Sequence, residues 1–285
     1  MIGNPGETKR KIIQTVTAVL YNCNLKGFLK GKIYKGSSKG LCVPGLNCYS
    51  CPGAVASCPL GGFQNALADS AFKPPLYTFG LLILFGIVLG RLICGFLCPF
   101  GLLQELVFKI PSPKPGKSGI TRVCSLIKYL ILMVFVILIP LTLMAPGFCK
   151  YICPAGTLEG AIPLIIADSN IRSMLGSLFF LKLAALSGIL ILCVFFYRGF
   201  CRFICPLGAI YSFFNPVSFF GVEVDREKCS GCSACVRFCR MDIVSPGDRE
   251  CIQCGECKKV CPEGAIRFKN PLKRQGEISL KGRER

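Results

Sequence analysis

Cys94-Gly-Phe-Leu-Cys98-Pro-Phe-Gly101 decides the fold, because its pattern recurs along the chain. Cys149-Lys-Tyr-Ile-Cys153-Pro-Ala-Gly156 and Cys201-Arg-Phe-Ile-Cys205-Pro-Leu-Gly208 repeat the whole interval, and Cys58-Pro-Leu-Gly61 repeats its second half. In that earliest copy Ala54 stands where the leading Cys falls in the others, and Cys51 lies seven residues before Cys58. A C-x3-C pair predicts two thiols on one helical face at i and i+4, with the following Pro in the first turn of a new helix. Such a pair supplies two of the four ligands of an iron–sulfur cluster. Cys is also commonly a buried small hydrophobe, but repetition together with Pro and Gly argues against packing alone.

Around these sites the chain is apolar. Uncharged runs cover Pro74 to Gly90, Tyr129 to Cys149, and Ser173 to Tyr197 with only Lys182 inside, each long enough for a spanning helix. Ile12 to Leu25 is shorter and carries Gln14, Asn22 and Asn24, so it reads as a short first span or a helix lying in the interface. The composition agrees: 52% apolar side chains, mean hydropathy +0.55 and 17% charge exceed what a water-soluble core needs. Twenty-one Cys with no His at all point to metal ligation, and exclude His-ligated haem, Rieske centres and imidazole acid–base chemistry. The +19 formal charge could serve nucleic acid, an anionic membrane surface or bound anionic cofactors. No DNA-binding module is present, and the basic residues are dispersed as a lipid surface would have them.

One apolar run separates each C-P-x-G site from the next, so successive sites alternate between membrane faces. Ligand count then predicts one cluster from Cys94, Cys98, Cys201 and Cys205. A second takes Cys149 and Cys153 with two of Cys42, Cys48, Cys51 and Cys58, of which Cys51 and Cys58 are preferred. Cys42 and Cys48 remain as alternative ligands, a dithiol or packing residues. Cys23, Cys124 and Cys193 read as structural. The segment from Lys109 to Lys128 has five basic and no acidic residues, which places Cys94, Cys98, Cys201 and Cys205 on the cytoplasmic side. Lys26, Lys30, Lys32, Lys35 and Lys39 would then lie outside, against that rule. A hydrocarbon core of about 30 Å is too wide for one fast electron hop, so the loops must fold inward or another cofactor must bridge the gap.

Beyond Val222 apolar runs vanish and eight Cys form two compact runs, Cys229-x2-Cys232-x2-Cys235-x3-Cys239 and Cys251-x2-Cys254-x2-Cys257-x3-Cys261-Pro262. This is the bacterial two-cluster ferredoxin spacing, in which each fourth Cys ligates the other cluster. It predicts one cluster on Cys229, Cys232, Cys235 and Cys261, and another on Cys251, Cys254, Cys257 and Cys239. Arg240 replaces the Pro expected after Cys239. A zinc ribbon fits the doubled spacing poorly.

The expected architecture is an all-α polytopic membrane domain of three or four spans (residues 1–221), followed by an α+β two-cluster ferredoxin domain (222–269) and a basic tail (270–285). Four [4Fe-4S] clusters are predicted, with the ferredoxin domain in the cytoplasm.

With those motifs in place, the chain resembles the membrane-bound polyferredoxins related to the NapH and NosR quinol dehydrogenase family. Cys42-Val-Pro-Gly-Leu-Asn-Cys-Tyr-Ser-Cys-Pro and Gly90-Arg-Leu-Ile-Cys-Gly-Phe-Leu-Cys-Pro-Phe-Gly-Leu-Leu-Gln carry the resemblance beyond the cysteines. It implies electron transfer between a cytoplasmic or quinol donor and an extracytoplasmic or membrane acceptor, with a flavin-carrying redox partner or quinone. It implies no catalytic residue of the chain's own. The alternative is a maturation factor that reduces a metal or thiol while another enzyme is assembled.

Overall fold

The computed structural model describes residues 5–69, 75–117, 119–173 and 175–269; the predicted basic tail at 270–285 lies outside them. Among the described residues the chain is mostly helical. Its sheet is a single antiparallel pair, Val222–Val224 with Ile266–Phe268, in the register Val222↔Phe268 and Val224↔Ile266.

Two helices, Gly119–Leu143 and Ser177–Phe195, are long and apolar enough to cross a membrane. The first begins well before the predicted Tyr129 and stops at Met144, whose φ of 48° ends it. Cys149 therefore rides on a separate short helix, Gly147–Tyr151. Leu76–Leu89 has 14 residues, about 21 Å of helix, which is shorter than a hydrocarbon core.

The N-terminal helix, Pro5–Tyr21, has its polarity inverted relative to a soluble amphipathic helix. Arg10, Gln14 and Thr17 are buried, whereas Ile12, Val16, Val19 and Leu20 face outward. It runs along the bundle from Glu105, paired with Arg10, to the loop at Val55, whose N–H donates to the Tyr21 carbonyl at 3.0 Å.

Helices begin at Pro59, Pro99 and Pro206, as the motif predicted. The preceding half of the prediction needs correction. Cys94 and Cys201 lie on the short helices Leu92–Phe96 and Gly199–Phe203, but Cys98 and Cys205 do not continue them. Both adopt extended backbone with ψ 115° and cap the next helix. A residue before Pro is sterically pushed out of the helical region, so each thiol pair is set by a helix–break–helix corner rather than by an i, i+4 face.

Residues 222–269 pack onto this helical part through Asn215, which is fully buried. Its Oδ1 accepts from the Arg91 N–H at 2.8 Å and from Gln253 Nε2 at 3.1 Å, and its Nδ2 donates to the Cys251 carbonyl at 2.8 Å. At Gly95 an added Cβ would come within 2.4 Å of the Ile252 carbonyl oxygen, so only glycine permits this contact. Asn215→Ala is expected to destabilise the protein by about 3 kcal/mol, since each orphaned buried group costs about 1–3 kcal/mol. Thermal unfolding in detergent, with limited proteolysis between residues 216 and 222, measures it.

Candidate metal centre

Cys94, Cys98, Cys201 and Cys205 are all buried and lie within electrostatic reach of one another. Polar atoms from both halves of the repeat converge on them. Gln104 Nε2 donates to Cys201 Sγ at 3.0 Å, Gly208 N–H to Cys205 Sγ at 3.4 Å, and the Gly101 N–H faces Cys98 Sγ. The Gly of C-P-x-G thus supplies an amide to the sulfur three residues earlier. At Gly101 an added Cβ would also crowd the Cys94 carbonyl and the Arg198 guanidinium.

A second group surrounds a cavity of about 560 Å³ lined by Cys42, Cys48, Cys58, Cys149 and Cys153, with Lys39, Lys150 and Lys182. Gln64 Nε2 donates to Cys149 Sγ at 3.2 Å, repeating the Gln104 contact. Cys51, preferred over Cys48 in the sequence analysis, is absent from this lining; its Sγ faces Asn22 Oδ1 at 3.5 Å. Residues 42–58 form an irregular loop rather than a helix, so spacing alone does not select the inward thiol. Lys39, one of the lysines that resisted the orientation argument, is buried and donates to the Cys51 and Ala54 carbonyls. Lys182 faces the cavity rather than standing away from it.

In the C-terminal part, Cys239, Cys251, Cys254 and Cys257 line one cavity of about 60 Å³. These are the four grouped by the crossed spacing. Cys235 and Cys261 pack beside Cys257 against Val222 and Ile266, Cys229 and Cys235 line an open surface cavity, and Cys232 is exposed.

Several polar residues share one offset. Six positions after the four C-P cysteines stand Gln64, Gln104, Glu159 and Tyr211. Three reach across to the partner half, Gln64 to Cys149, Gln104 to Cys201 and Glu159 to the Cys48 N–H at 3.1 Å, whereas Tyr211 donates to the Pro44 carbonyl in the loop of the other site at 2.9 Å. The π-helical winding of Gly156–Ala161 carries Glu159.

The description "4Fe-4S binding domain" matches residues 74–118, 128–162 and 178–221, and a further domain of that description matches 248–267. An uncharacterised protein of Methanocaldococcus jannaschii is 30% identical over 76% of this chain and 88% of its own length. The chain belongs to the 4Fe-4S polyferredoxins of the NapH/NosR family. The ferredoxin-type protein NapH of Haemophilus influenzae is 25% identical over 69% of each chain. The regulatory protein NosR of Pseudomonas aeruginosa is 28% identical over 64% of this chain but only 25% of itself. No solved structure matches. Membership makes the chain a 4Fe-4S electron-transfer protein.

The residues fit such clusters. Among the described residues no three Cys, Asp or Glu converge closely enough for a single metal ion, whereas the thiolates of a four-iron cube are spread around a larger body. Beside the Cys94 group the buried Nε atoms of Arg10 and Arg91 have no hydrogen-bond partner among the described residues. Glu105 bridges Arg10 and Arg198, with Nη2 of Arg10 at 2.8 Å from Oε2 and Nε of Arg198 at 2.8 Å from Oε1. Tyr197 also donates to Oε1, at 2.9 Å. Glu250 bridges Arg91 and Lys128 in the same manner.

Burial pushes the Glu105 carboxyl up, but Arg198 and Arg10 outweigh it and hold it at about 2, below its ordinary 4.5. A depressed carboxylate contributes stability that is fully present above its unfolded pKa and is lost as pH falls through the folded one. The stability difference between wild type and Glu105→Gln should therefore be constant above pH 4.5 and shrink toward pH 2, measured by denaturant unfolding across that range.

Proposed function

We propose that this chain conducts electrons through four [4Fe-4S] clusters, linking a cytoplasmic or quinol donor to an extracytoplasmic or membrane acceptor. The observation that carries this reading is a pair of consecutive amides. The Leu46 N–H faces Cys98 Sγ and the Asn47 N–H faces Cys58 Sγ, so neighbouring residues of one loop touch a thiol of each helical-part site. Consecutive Cα atoms stand about 3.8 Å apart, so the two sites lie side by side rather than a bilayer's width apart.

Cys48, Cys58, Cys149 and Cys153 would hold the outer cluster, Cys94, Cys98, Cys201 and Cys205 the inner one. Cys239, Cys251, Cys254 and Cys257 would hold a third, and Cys229, Cys232, Cys235 and Cys261 a fourth. Bound clusters of this type supply one-electron storage at low reorganisation, and the chain's own residues fix their spacing. Asn215 ties Cys251 to Arg91, three residues before Cys94. Gly95 admits Ile252, next to Cys251. The sites thus form a series in which each neighbours the next through one or two residues.

A polytopic membrane domain followed by a ferredoxin domain is part of this proposal. The outward apolar stripe of Pro5–Tyr21 supports a membrane-embedded first helix whose polar face meets protein instead of lipid. The basic segment before Tyr129 contacts residues 222–269, with Lys117 donating to the Arg237 carbonyl at 2.8 Å and Thr121 to Asp242 at 2.7 Å. Positive charge favours the cytoplasmic side, and the reducing cytoplasm suits exposed cluster ligands.

Anaerobically purified protein should contain about sixteen irons, as four four-iron clusters require. Cys48→Ser and Cys149→Ser should each remove about four, while Cys51→Ser should leave the count unchanged. Iron and sulfide assay with EPR decides; a count near eight that none of these variants alters would overturn the proposal.

A further inference from the structure

Arg91 and Arg198 occupy the same place in the repeat, three residues before Cys94 and Cys201. Each reaches the other's cysteine: Arg91 Nη2 donates to the Cys201 carbonyl at 3.3 Å, and Arg198 Nη1 to the Cys94 carbonyl. Both side chains are 0% exposed, as is Lys128, and Arg10 is 2% exposed. These four cations share two carboxylates, Glu105 and Glu250, which leaves a net excess of two positive charges. Guanidiniums do not deprotonate in proteins, so the excess persists even without Lys128. A buried charge this poorly balanced is costly unless an anion stands nearby.

Four thiolates around an oxidised cube carry about two negative charges, and reduction adds one more. A low-dielectric interior opposes that extra charge, and fixed cations oppose the opposition. The outer site meets the same demand differently. Pro146 stands three residues before Cys149, so no arginine reaches in, but the cavity there is open and lined by Lys39, Lys150 and Lys182. Glu159 adds a carboxylate there, on the Cys48 N–H.

We infer that Arg91 and Arg198 are potential-setting residues: their crossed contacts raise the midpoint of the inner site enough for a cluster buried away from water to accept an electron. This rests on the reading that Cys94, Cys98, Cys201 and Cys205 hold a cluster. One electron enters from the reductant and no proton is required, because the compensating charge is already in place.

The test is an EPR-monitored redox titration of the anaerobic full-length protein in detergent, with dithionite as reductant. The inner signal is assigned as the one lost in Cys201→Ser. Arg91→Gln should lower its midpoint by more than that of any other signal, and Arg91→Lys should recover most of the difference. Glu250→Gln, which removes a negative charge from the same network, should shift the midpoint upward. A purely structural role would reduce iron content in both variants without shifts of opposite sign. The inference is overturned if the inner signal keeps its midpoint in Arg91→Gln and Glu250→Gln, or moves the same way in both. If Arg91→Gln fails to retain its iron, Glu250→Gln decides alone by the sign of its shift. Absence of any signal lost in Cys201→Ser would instead remove the inner cluster itself, and this inference with it.

Discussion

Two carboxylates carry the organisation of the interior. Glu105 and Glu250 each bridge two cations, and together they join the N-terminal helix, the segments before Cys94 and Cys201, the helix through Lys128, and the C-terminal part. Breaking a buried pair is costly because the remaining charge has no water to turn to. These five elements are thereby held to one arrangement, in which the cysteine corners meet. Apolar packing alone would tolerate sliding; the fully buried cations Arg91, Lys128 and Arg198 do not.

Within that frame proline is the local architect. A continuous helix through Cys94 and Cys98 would stack both thiols along one face. Pro99 prevents it by forcing Cys98 into extended backbone, and Pro206 does the same at Cys205. The corner turns the second sulfur toward the amides that open the next helix, where Gly101 and Gly208 present N–H groups. Six residues farther on, one and a half turns into that helix, the chain places a polar side chain that crosses to the partner half in three copies and, as Tyr211, to the loop of the other site in the fourth. The whole unit, from arginine or its replacement to the crossing residue, is fourteen residues long, and two copies facing each other make a site.

Much of this was legible in the sequence. The pairing of Cys94 and Cys98 with Cys201 and Cys205 followed from repetition and parity, since alternating faces leave one partner for each pair. The grouping of Cys239 with Cys251, Cys254 and Cys257 followed from crossed spacing. Which of Cys48 and Cys51 lines the cavity did not, because it depends on how an irregular loop folds over Asn22 and Glu159, contacts more than a hundred residues apart in the second case. The buried ion network was also hidden: Arg91, Lys128 and Glu250 are ordinary charged residues until tertiary structure removes their water. The shared offset of Gln64, Gln104, Glu159 and Tyr211 was available in the alignment of the four repeats, but three different side-chain types at one position conceal a common role.

Parity placed successive sites on opposite membrane faces and so left them a full hydrocarbon thickness apart, a separation at odds with electron transfer. Residues 42–58 resolve that conflict by leaving the surface. Pro44 meets Tyr211, Leu46 meets Cys98, and Asn47 meets Cys58, so the loop inserts between the two halves. Backbone buried there needs partners for its amides and carbonyls. Lys39, Tyr211 and Asn47 provide them for the carbonyls of Cys51, Pro44 and Ala56. The alternation of sites along the chain and their proximity in space are therefore compatible: in the proposed membrane arrangement connectivity would set the side from which each pair enters, and the depth of the loop sets where the pairs meet.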